Sequence, residues 1–119
     1  DLRVSVENIG RVELLERENE SSHQIRNRVI AARAKAANRF KNEDWRLNSE
    51  IPPKALRQQY QPVKAAMNFL HDELDKERIT ARGLHKIIRT SWTIADLKGI
   101  ECPTLSEVTE SYRLREGIE

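Results

Sequence analysis

The stretch Thr80 to Leu97, TARGLHKIIRTSWTIADL, limits what this chain can fold into more than any other. Thr80 is suited to cap a helix, because its hydroxyl can accept from an amide two or three residues on, and no proline or turn signal interrupts the run before Gly99. Leu84, Ile87, Ile88, Ser91 and Ala95 recur at spacings of three and four, which predicts one buried stripe along a long helix. Arg82 stands out in it. A cation in the first turn opposes the partial positive charge of a helix N-terminus, so its position there suits an anion nearby.

The remaining chain reads as further helices around this one. Ser21-Ser22 offers a cap for a helix from Ser22 to Phe40, with Ile25, Val29, Ala32, Ala36 and Phe40 as its apolar stripe. Six basic residues lie in that segment through Lys41 and no acidic one, whereas Glu13, Glu16, Glu18 and Glu20 cluster just before it. Such a face can meet nucleic acid, a nucleotide or an acidic protein surface, and can equally be a solvated helix side. Residues 41–53 form a connector rich in turn formers, in which Trp45 reads as an anchor to the core. Pro53 opens a short helix ending near Tyr60, and Pro62 a helix to Lys76 with Val63, Met67, Leu70 and Leu74 on one stripe. Thr104 caps a last helix to Arg115 with Leu105, Val108 and Tyr112 inward.

Before these helices, Asp1 to Glu7 alternates Leu2, Val4 and Val6 with polar residues, the period of a half-buried strand. One strand makes no sheet, so residues 1–20 read as a strand-like remnant and a short helical turn leading out of another domain, and residues 21–119 as the domain proper. The fold expected is all-α, a small bundle of four to five helices. Aromatics at 5% and charged residues at 34% agree with that class.

The chemistry of an autonomous enzyme is missing from the pattern. There is no phosphate-binding glycine loop, no dinucleotide fingerprint, no H-E-x-x-H pair and no C-x-x-C in the 119 residues. His71 and Asp75 are four apart on one helix, but two ligands do not make a metal site, and none is expected. A single cysteine, Cys102, excludes an internal disulfide and suits a reducing compartment. With no apolar run of membrane-spanning length and no signal-peptide core at its start, the chain is expected to be soluble and cytoplasmic.

The central helix also carries a family likeness. Thr80, Arg82, Ile87, Ile88, Arg89 and Thr93 to Leu97 form a pattern that resembles the C-terminal helical domain of the magnesium-chelatase-like branch of AAA+ ATPases, in particular the ComM competence-protein group. Glu20-Ser21-Ser22 with Ile25, Arg26, Arg28, Val29, Ala32, Arg33, Arg39 and Phe40 is similar to a second segment of that family, and Tyr112-Arg113 to its closing pair. Asn48-Ser49-Glu50-Ile51 is like the family's connector, and DLRVSV like the strand beyond its arginine-bearing stretch. One position departs from the pattern, where Trp92 replaces an arginine often found in the family.

The resemblance implies a lid over nucleotide held by an ATPase core. It implies that Arg82 is the sensor-2 arginine reaching the terminal phosphate, and that Arg89 contacts nucleotide or a neighbouring subunit. Arg26, Arg28, Arg33 and Arg39 would form a basic contact surface. The domain alone would need no cofactor, while its parent would use ATP and Mg2+, pack against the core of its own chain, assemble as a homo-oligomeric ring, a hexamer, and act near DNA. The competing reading is a free-standing helical module that binds DNA or protein, with Leu84 to Leu97 as a recognition helix.

Overall fold

The computed structural model describes the backbone of residues 11–116 and the side chains of residues 22–115. Five α-helices and one 3-10 turn follow in order: α1 (Arg11–Arg39), the turn (Asn48–Glu50), α2 (Pro53–Arg57), α3 (Lys64–Asp75), α4 (Ala81–Lys98) and α5 (Leu105–Glu116). No strand occurs among the described residues, and the all-α bundle expected from the pattern is what forms. The strand-like stretch 1–7 lies outside the described residues.

The first helix differs from its expected limits. It starts at Arg11 and passes through Ser21-Ser22 without a break, so no cap forms there. Nothing between Arg11 and Arg39 is proline or glycine, and serines mid-helix are tolerated when their hydroxyls face water. The charge order also favours one helix. Glutamates outnumber the two arginines, Arg11 and Arg17, in its first third, and its last half carries arginines and lysine without acids, which suits the helix dipole at its C-terminal end. The partition at residue 20 is therefore crossed by continuous helix.

Arg46 closes the far end of α1. Its Nη1 donates to the carbonyls of Glu43 at 2.7 Å, Trp45 at 3.0 Å and Phe40 at 3.3 Å, which satisfies acceptors that the ending helix leaves open. Glu50 Oε1 accepts from the amide of Leu47 at 3.0 Å and tightens the turn that follows. Pro53 occupies the first turn of α2, which ends at Arg57 rather than near Tyr60, and α3 begins at Lys64.

Helix α4 is the hub, touching α1, α2, α3, α5 and the turn. Its stripe of Leu84, Ile87, Ile88, Ser91 and Ala95 is buried throughout, as the spacing predicts. Thr80 Oγ1 accepts from the Gly83 amide at 3.0 Å, and Gly99, at φ 76°, ends the helix in the left-handed conformation that glycine adopts without strain. The core around α4 holds Phe40, Ile51, Leu56, Leu70 and Val108, with Trp45 and Tyr60 packed on it. Trp45 does anchor its connector: its ring lies 5.7 Å from Phe40 and 6.1 Å from Tyr60.

Four apolar positions expected to face the core do not, and one of them is Val63, just before α3, which is 37% exposed. Ile25, Val29 and Leu105 are 46%, 36% and 42% exposed, so the stripe of α1 is covered only from Ala32 onward. The inner side of α5 is instead Glu107, Val108 and Ser111, with Tyr112 half-buried. Ser111 donates to the Ile87 carbonyl at 2.8 Å and Tyr112 to Glu73 at 3.1 Å, which ties α5 to α4 and α3.

Candidate functional site

Arg82 sits in the first turn of α4, exposed, and forms no hydrogen bond or ion pair with a described residue. The residues at i+4 and i+7, Lys86 and Arg89, continue the same side of the helix. Across the helix start lies Arg115 of α5. Its Nη2 stands 3.4 Å from where a Cβ on Gly83 would sit, an ordinary contact distance. One end of the bundle thus gathers the cations of two helices.

Arg89 is half-buried, and its Nε donates to the Ile51 carbonyl at 2.9 Å. Burial pushes its pKa down, yet a guanidinium begins so high that it stays charged. His85 is pushed down by burial and then by the positive charges of Arg89 and Arg57, which makes it a neutral ring at pH 7.

The four arginines of α1 read as a contact surface divide in two. Arg26, Arg28 and Arg33 are exposed and pair with no described residue. Arg39, read from sequence as part of that surface, instead turns inward. Its guanidinium forks onto Asp96: Nη1 reaches Oδ2 at 3.1 Å and Nη2 bonds Oδ1. Asn48 completes the cluster, accepting from Arg39 at 3.1 Å and donating to Asp96 at 2.9 Å and Thr93 at 3.2 Å. The guanidinium also stacks 4.4 Å from the Trp92 ring centroid. Trp92 is therefore a packing residue, whose Nε1 donates to the Tyr60 carbonyl at 2.9 Å. Periodicity placed Arg39 off the apolar stripe, and nothing in the pattern pointed to a carboxylate 57 residues away.

The domain as a whole matches the family model of the magnesium chelatase subunit ChlI C-terminal region over residues 19–115. The chain belongs to that family. Three curated relatives, all uncharacterized proteins, are each 34% identical to it over 116 residues: one from Mycobacterium bovis and two from strains of Mycobacterium tuberculosis. The alignment covers 98% of this chain and 23% of each relative, so the chain spans about a quarter of their length. No solved structure matches significantly.

The ChlI-type domain has no group of three or more metal-binding side chains among its described residues, and none of its described helices is long and apolar enough to cross a membrane. Helix α4 is enclosed on most sides, with Gly83 to Asp96 contributing nine buried residues, and Arg82, Thr93 and Leu97 are among its exposed positions. Cys102 is structural: its thiol donates to the Gln61 carbonyl at 3.4 Å, and burial pushes its pKa up.

Proposed function

We propose that this domain is the lid of a magnesium-chelatase-like AAA+ ATPase of the ComM group, and that Arg82 is the sensor-2 arginine that reads the terminal phosphate of ATP. The observation that carries the reading is the state of Arg82, an exposed guanidinium without a carboxylate, beside the amides that open α4. Cation and free amides converge there, and a guanidinium fork suits phosphate oxygens better than an ammonium does. A contact made with ATP and lost with ADP would shift the lid against the core, converting phosphate loss into motion.

On this reading the chain hydrolyses nothing by itself. The parent supplies the ATPase core, binds ATP with Mg2+, and assembles as a homo-oligomeric ring, a hexamer, in the cytoplasm. Arg26, Arg28 and Arg33 would then face the core, a neighbouring subunit or DNA, and Arg89 would serve the α4 end rather than the α1 surface. The test is nucleotide discrimination. In the full-length protein, Arg82→Ala should weaken binding of a non-hydrolysable ATP analogue at least tenfold while changing ADP affinity less than threefold. Equal affinities for the analogue before and after the change would remove the sensor assignment.

A further inference from the structure

An open cavity of about 370 Å³ lies between the 3-10 turn, α4 and α5, floored by Ile87 and Ser111. Its walls carry Arg89, Arg115, Lys86, Ser49 and Thr90, and no acidic residue lines it among the described residues. Arg82 is not part of the lining. Neither Arg89 nor Arg115 forms an ion pair with a described carboxylate, although both are more than half removed from water. The carbonyl of Ile51 fixes Arg89 by its Nε, which leaves its two terminal nitrogens without a partner among the described residues. The hydroxyls of Ser49 and Thr90 also make no bond with a described residue.

Two partly desolvated cations in one concavity repel each other and lose hydration, a cost that a bound anion reverses. Two guanidinia match the charge of a dianion. The hydroxyls of Ser49 on the 3-10 turn and Thr90 on α4 add donors, so that donors come from three elements around one centre, an arrangement that suits a tetrahedral acceptor.

We propose that the cavity between the turn, α4 and α5 binds a phosphoryl group, held by Arg89 and Arg115 and completed by the hydroxyls of Ser49 and Thr90. The site is separate from the role proposed for Arg82, which lies nearer the start of α4. Its ligand is inorganic phosphate or the phosphate ester of a nucleotide.

The probe is inorganic phosphate, titrated into the 119-residue chain at constant ionic strength and followed by amide chemical shifts. Saturable shifts at Ser49 and Thr90 are expected, with affinity at least tenfold weaker in Arg115→Gln and in Arg89→Gln and unchanged within twofold in Arg82→Gln. Arg115→Gln, at the end of α5, keeps the experiment decisive if losing the Ile51 bond unfolds the Arg89 variant. AMP in a parallel titration separates the sources: tighter binding than phosphate assigns the site to a nucleotide, and weaker binding to the free ion. Absence of saturation, equal affinity for acetate, or loss of binding in Arg82→Gln alone would overturn the proposal. None of these results depends on ATP discrimination by the full-length protein, so the two assignments fail separately.

Discussion

Arg39 and Arg82 are the same side chain put to opposite uses. Arg39 is 13% exposed at its side chain, faces an Asp96 carboxylate that is 1% exposed, and rests on the Trp92 ring. Arg82 has water on most sides and no described partner. A buried guanidinium is tolerable only when its charge and its hydrogen-bond donors are answered, so the first environment had to be built from α1, the turn and α4 together. The second was left open, and leaving a cation unanswered at a helix start costs little only because it is exposed. The difference shows how to sort arginines in such a domain: those whose charge is answered by a carboxylate inside the fold hold it together, and those whose charge meets no described carboxylate are open to a ligand.

The largest effect should come from breaking the buried pair on its acidic side. Asp96→Ala leaves Arg39 charged, desolvated and unpaired, and should lower unfolding free energy by about 3 kcal/mol or more in a urea titration. If stability fell by less than about 1 kcal/mol, Arg39 would be reaching water and would belong with Arg82.

Next comes acid. Burial raises the Glu107 pKa, but the hydroxyl and the amide of Thr104, at 2.5 Å and 2.8 Å, and then the Lys98 ammonium outweigh it, holding the carboxyl at about 2 instead of 4.5. A folded-state pKa below the unfolded one gives stability that is complete above about pH 4.5 and fades as pH falls through 2. Its size is up to about 3 kcal/mol. Glu107→Gln should flatten stability against pH in that window, and an unchanged curve would place the acid sensitivity elsewhere.

Smaller effects belong to helix ends. Thr80→Ala removes the cap of α4 and should cost about 1 kcal/mol. Glu77 holds φ at 58° where α3 ends, so Glu77→Gly should raise stability by about 0.5–1 kcal/mol. Arg82→Ala should move stability least, by no more than about 0.5 kcal/mol, since the side chain has nothing inside the fold to lose.

Much of the fold around α4 was legible because local chemistry decides it. Thr80, the stripe from Leu84 to Ala95 and Gly99 state a capped, amphipathic, glycine-terminated helix without reference to the rest of the chain. Trp45 was readable as an anchor for the same reason, a lone large ring among turn formers. Partner identity was not legible. The period of Ile25 and Val29 reports a face that wants covering, but not that the described chain leaves it uncovered. Arg39 looked like Arg33 in sequence, because Asp96 and Asn48 come to it only in the folded bundle. Ser111 and Glu107 were passed over since polar residues carry no hydrophobic period, although their hydrogen bonds bury them as fully as Val108. Of the candidate site, Arg82 came from its oddity in a first turn, while Arg115 comes beside Gly83 at the start of α4 only in the folded bundle.

The division between structural and ligand-directed arginines is tested most directly by ATP turnover of the full-length protein carrying Arg82→Ala, measured with its thermal melt. The account predicts at least a tenfold loss of turnover with the melting temperature unchanged within about 2 °C. Full turnover in a normally folded variant would contradict it.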